Sequence, residues 1–81
     1  MSQSIGKPSM RDIQEQYYFD SAALAESAGV QVLTVRAMLT DQPVRRLQAE
    51  LVLAALSEHL GKAYNLESVS VVVLAEEGVE Q

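Results

Sequence analysis

Apolar residues recur at helical spacing in four stretches of this chain, and in a fifth they give way to a run that suits a strand. The first residues are polar, and Gly6 and Pro8 interrupt any regular pattern, so residues 1–8 are predicted to be a loose arm. Met10, Ile13 and Tyr17 then fall three and four residues apart, the repeat of one helix face. Ser9 stands just before them with Asp12 three residues on, a weaker form of the capping box, so the first helix is placed there. Tyr18 and Phe19 close the segment, and Asp20 can cap a second helix whose inner face is Leu24, Ala25 and Ala28. Gly29 ends that helix, because glycine takes the left-handed conformation without steric cost. Val30 is expected as the buried pivot of a tight turn. Gln31 or its neighbour starts a third helix that carries Val35, Met38 and Leu39 inward.

Thr40 to Pro43 read as a loop, since Pro43 disfavours helical geometry at Gln42. A fourth helix is predicted from about Val44 to Leu60. Ala49, Val52, Leu53, Leu56 and Leu60 share one face of it, and Gly61 stops it. Leu51 lies off that stripe, either exposed or in an interface. Asn65 can cap one short turn through Leu66, Glu67 and Ser68. From Val69 to Leu74 the chain reads VSVVVL, dense in β-branched residues and better suited to a strand. A lone strand cannot satisfy its own backbone, and an exposed valine-rich edge invites aggregation. Symmetric antiparallel pairing with a second copy resolves this. Leu51, Val69, Val71, Val72, Val73 and Leu74 are therefore the expected dimer interface. The alternative is an extended segment packed onto the chain's own helices.

Composition narrows the class. With 81 residues, 48% of them hydrophobic, one small domain with its own core is expected, and its size makes oligomerisation a common remedy for marginal stability. No cysteine is present, which excludes disulfides and cysteine-ligated zinc and fits a cytoplasmic location. No secretory leader is recognisable, and the runs LVLAAL and VVVLA are too short to cross a membrane as helices, so no membrane partner is expected. The net charge of −5 argues against broad attraction to nucleic acid, but the charge is uneven. Residues 76–81 form an acidic tail with Glu76, Glu77 and Glu80; without them six bases face eight acids, a net of −2. Residues 30–49 hold Arg36, Arg45 and Arg46 against Asp41 alone, a net of +2. These arginines either form a local basic face or simply solubilise helix ends.

The segment from Asp20 to Leu39, DSAALAESAGVQVLTVRAML, has the requirements of a helix-turn-helix. A small residue, Ala25, stands where the helices touch. Gly29 supplies the positive φ, and Val30 and Val35 fill the wedge. The run AALAESAGVQVLTVRAMLTDQPV, followed by AELVLAAL and YNLESV, resembles the helix-turn-helix domains of phage Cro and repressor proteins. It is also similar to the headpieces of lac-repressor-type regulators. The match covers roughly Met10 to Val69. The resemblance implies a mainly α, four- to five-helix lambda repressor-like bundle that dimerises on a two-part operator and regulates transcription in a prokaryote or phage. It implies that Gln31 caps the third helix, that Val32, Leu33 and Ala37 read bases with Arg36 beside them, and that Thr34, Arg45 and Arg46 contact the DNA backbone. The family usually places polar residues at the reading positions, because base edges are read mainly by hydrogen bonds. Here Val32, Leu33 and Ala37 offer only apolar contact, for instance to a thymine methyl.

Two functions follow. The first is a dimeric, non-enzymatic regulator bound to double-stranded DNA. The second is a protein-interaction module on the same scaffold, antitoxin-like or an accessory subunit, in which Val32, Leu33 and Leu51 bury against another protein. A bidentate base contact gives about 1–3 kcal/mol of discrimination and burial of an exposed leucine about 1.5–3 kcal/mol, so magnitudes do not choose between them. His59, the only histidine, sits near a helix end with no second ligand or nucleophile suggested nearby, and no phosphate-binding glycine loop occurs. No cofactor, metal or catalytic residue is expected. Tyr17, Tyr18 and Phe19 are expected to pack under the second helix, and Asp12 and Glu15 to form a solvated face. The organisation read from the sequence is an arm (1–8), a helix-turn-helix domain (9–69), a C-terminal strand (70–75) and an acidic tail (76–81).

Overall fold

A computed structural model describes residues 7–74. Most of the expected arm, residue 75 and the acidic tail lie outside the described residues. Among the described residues four helices follow one another: α1 (Met10–Tyr17), α2 (Ser21–Ala28), α3 (Val32–Leu39) and α4 (Arg46–Leu60). The fold is mainly helical, and α2 packs on both α3 and α4 while α1 lies against α3.

The helix starts follow local chemistry. The Ser9 hydroxyl accepts from Asp12 N–H and the Asp12 carboxylate accepts from Ser9 N–H, each at 3.1 Å, which completes a capping box. Asp20 Oδ2 accepts from Ala23 N–H at 3.0 Å and opens α2. Gly29 closes α2 at φ 76° and Gly61 closes α4 at φ 69°. Val30 N–H reaches back to the Ala25 carbonyl at 3.0 Å, satisfying one of the last carbonyls of α2.

One core fills the space between the helices. Met10 and Ile13 enter from α1, Leu24 and Ala25 from α2, Val35 and Met38 from α3, and Ala49, Val52, Leu53 and Leu56 from α4. Phe19, Val44 and Val69 join them from the connecting segments. Leu39, Leu60 and Val30 pack against this core and are half-buried.

Three expectations change. First, Phe19 alone of the aromatic triplet is buried; Tyr18 is 72% exposed and Tyr17 lies at the surface beneath the Lys62 ammonium, 5.1 Å from the ring centroid. The cause is a turn at Tyr18, whose φ of 45° swings the next residue inward and leaves Tyr18 outside. Gln14 Nε2 donates to the Phe19 carbonyl at 2.8 Å and holds this corner. Second, α4 begins at Arg46, two residues later than Val44. Val44 is held extended because its N–H donates to the Val72 carbonyl at 3.0 Å and its carbonyl accepts from Leu74 N–H at 2.8 Å.

Third, no C-terminal strand forms among the described residues. The segment 69–74 instead makes two isolated parallel bridges within its own chain, Ser9 to Ser70 and Val44 to Val73. Its β-branched residues do adopt extended backbone pairing, but each partner is a single residue from a different connection, so no ladder builds. Ser70 N–H donates to the Pro8 carbonyl at 2.8 Å, which ties down the end of the expected loose arm. The approach to this segment is also anchored. Ser57 Oγ accepts from Tyr64 N–H at 2.8 Å, and Asn65 Oδ1 accepts from Glu67 and Ser68 N–H at 2.8 and 3.0 Å.

Candidate nucleic-acid interface

The turn from Gly29 to Gln31 decides what α3 presents. Gln31 caps α3 with extended backbone and makes no side-chain cap bond, so its amide faces solvent. Val35 and Met38 point into the core, which turns Leu33, Arg36, Ala37 and Thr40 the other way at offsets of three, four and seven. Leu33 is 66% exposed, Arg36 is exposed, and Val32, Thr34 and Ala37 are half-buried.

Leu33, Arg36, Ala37, Thr40 and Gln42 line a shallow cavity of about 390 Å³. Three of these five, Leu33, Arg36 and Ala37, are sequence-predicted contact positions. Thr40 was findable, since it extends the helical repeat of Leu33, Arg36 and Ala37 by one step. Gln42 was not, because it arrives through a backbone reversal. Asp41 takes φ 60°, and Gln42 N–H then returns to the Ala37 carbonyl at 2.8 Å. Thr40 Oγ1 donates to the Arg36 carbonyl at 2.9 Å, which closes the end of α3.

The cationic residues differ in their engagements. Arg46 Nε lies 3.2 Å from Glu50 Oε2, an exposed pair one helical turn apart. Among the described residues no ion pair involves Arg36 or Arg45. Thr34 Oγ1 donates to Gln48 Oε1 at 3.4 Å, a long contact that links α3 to α4. Thr34 therefore faces α4 as well as solvent, and Arg36 is the α3 side chain best placed for an external anion. Leu74, the last described residue, donates its N–H to the carbonyl of Val44, the residue before Arg45.

The residues expected at a dimer interface separate into two groups. Val69 is buried in its own chain's core, and Val71 and Val73 are half-buried, with Val71 packed on that core. Val72, Leu74 and Leu51 are exposed. His59 is exposed at the end of α4, where it borders a cavity of about 320 Å³ with Tyr18 and Asp20. Among the described residues no three His, Asp or Glu side chains lie close enough to hold a metal ion, and no helix is long and apolar enough to cross a membrane. Comparison with family models, with curated proteins and with solved structures gives no match to this chain.

Proposed function

We propose that this chain is a DNA-binding transcriptional regulator of helix-turn-helix type, acting as a dimer and without catalysis. The observation that supports the reading most is the left-handed Gly29 between α2 and α3, with Leu33, Arg36, Ala37 and Thr40 turned outward from a core-anchored helix. Such a helix can lie in a major groove with its first residues at the base edges. In that pose Gln31 supplies a polar contact, Leu33 and Ala37 meet thymine methyls, and Arg36, Arg45 and Arg46 neutralise phosphates. Regulation would be occlusion of the operator. The protein would be cytoplasmic, since its target is.

The test is fluorescence anisotropy on random duplex DNA across a salt series, with the native chain and with Arg36→Ala/Arg45→Ala/Arg46→Ala. A dimer with six phosphate contacts loses roughly a thousandfold in affinity between 50 and 200 mM salt. The triple variant should bind more weakly and with a shallower slope. Absence of binding by the native chain at low salt would end the proposal.

One observation favours a second reading, a protein-interaction module. Leu33 sits 66% exposed in the middle of the outward face, where a base reader usually carries a polar group. A partner protein that buries it would bind with little dependence on salt, because no phosphates are involved.

A further inference from the structure

The core does not use the outer side of α4. Leu47, Leu51, Ala54 and Glu58 recur there at offsets of four, seven and eleven, on the side of the helix opposite Ala49, Val52, Leu53 and Leu56. Leu47 is 67% exposed and Leu51 42% exposed, and Ala54 and Glu58 are exposed too. Beside the stripe, Ser27 and Ala28 of α2 and Ala54 and Ala55 of α4 border a groove of about 180 Å³, with Leu51 and Glu58 along it.

We infer that this face binds a second copy of the chain, with the two α4 helices antiparallel and the two-fold axis at Leu51. Three features select that occupant. An axis at Leu51 sets Leu51 against its own copy and brings Leu47 over Ala55 of the other chain, so the most exposed leucine enters the groove made by the smallest side chains. The same axis sets Glu58 level with Val44, just ahead of the N-terminus of the facing α4. That helix start has no side-chain cap and is flanked by Arg45, so it attracts a carboxylate. A two-fold contact also forms both halves at once, each leucine and each glutamate counting twice. Parallel pairing would instead set Glu58 against Glu58. One helix face is smaller than the roughly 800 Å² per partner of a standard interface, so association in the micromolar range is expected. This joint replaces the 69–74 segment, whose backbone is bonded within its own chain.

The inference stands apart from any DNA binding, because it is measured without DNA. The native chain at about 100 μM, well above a micromolar dissociation constant, should have the mass of a dimer in analytical ultracentrifugation. Leu47→Glu and Leu51→Glu should each raise the dimer dissociation constant about a hundredfold, since each removes two leucines from the joint. Both positions are exposed in the single chain, so far-ultraviolet circular dichroism should be unchanged. The chain has no cysteine, which gives a second readout: Leu51→Cys should form an intermolecular disulfide under mild oxidation, and Leu33→Cys should not. A native chain that stays monomeric at that concentration overturns the inference. So does a dimer dissociation constant that Leu47→Glu leaves unchanged across a dilution series, or equal cross-linking by the two cysteine variants.

Discussion

Replacing Gly29 by alanine isolates the backbone term on which the orientation of α3 depends. Gly29 has φ 76° and ψ 30°, and a Cβ added there meets no heavy atom within 4 Å. No steric clash with neighbouring elements enters the cost. What remains is the left-handed conformation itself, about 1–2 kcal/mol for a residue with a Cβ. Alanine also reduces the entropy of the unfolded chain, which returns about 0.4–1 kcal/mol. The net loss is then about 1 kcal/mol, or a fall in Tm of roughly 4–8 °C for a domain of this size. Gly29→Asn should lose less, because asparagine tolerates this region better. Gly29→Val should lose more than alanine, since branching at Cβ makes positive φ still less favourable. Thermal and urea unfolding followed by circular dichroism would give the order. A Gly29→Ala variant more stable than the native chain would mean that α2 runs on into α3 without the left-handed break. The outward face of α3 would then not exist as described.

Tyr18 offers the converse experiment. It is 72% exposed, so Tyr18→Gly loses little packing; it relieves φ 45° at a site where a side chain costs about 1–3 kcal/mol and gives back about 0.4–1 kcal/mol through the freer unfolded chain, so a rise in Tm is expected, and a fall would mean the ring contributes more than its exposure allows. Ser57→Ala should lower stability by about 1–2 kcal/mol, because Tyr64 N–H loses its acceptor at 2.8 Å in a half-buried setting; hydrogen exchange at Tyr64 should speed up while the α2 amides stay protected. Removing residues 75–81 takes away three glutamates and changes the net charge from −5 to −2, so on the DNA-binding reading the affinity for random duplex at low salt should rise; an unchanged affinity would count against phosphate contacts by Arg45 and Arg46.

Where the chain's conformation is set by neighbours in sequence, the sequence was enough to read it. Ser9 with Asp12, Asp20, Gly29, Gly61 and Asn65 each act on backbone groups within a few residues, and each does so in the structure. The stripe of Ala49, Val52, Leu53 and Leu56 is buried for the same reason, since helical repeat alone defines it. Legibility fails where a distant segment intervenes. Nothing local forbids helix at Val44; Val72 and Leu74 hold it extended. Nothing local sorts Tyr17, Tyr18 and Phe19, because all three are apolar enough for a core, and only the turn at Tyr18 decides which goes inside. The valines at 69–74 do signal extended backbone. They do not say whose backbone pairs with it, and here Pro8 and Val44 of the same chain supply the partners.

The outward face of α3 is a case where residue identity was legible and its use was not. Arg36 and Leu33 share one shallow cavity, so a partner that covers that cavity must accept a cation and an aliphatic side chain together. A duplex groove does so if phosphate meets the guanidinium and a thymine methyl meets the leucine; a protein does so if a carboxylate rims an apolar hole. These pairings have opposite responses to salt. Phosphate contacts release counterions, so binding weakens steeply as salt rises. Burial of Leu33 is insensitive to ordinary salt and strengthened by sulfate, while a single exposed ion pair at Arg36 contributes about 0–1 kcal/mol at most. The balance between Arg36 and Leu33 is thus a balance between a salt-dependent and a salt-independent free energy. The slope of affinity against salt reports which side chain the partner reads.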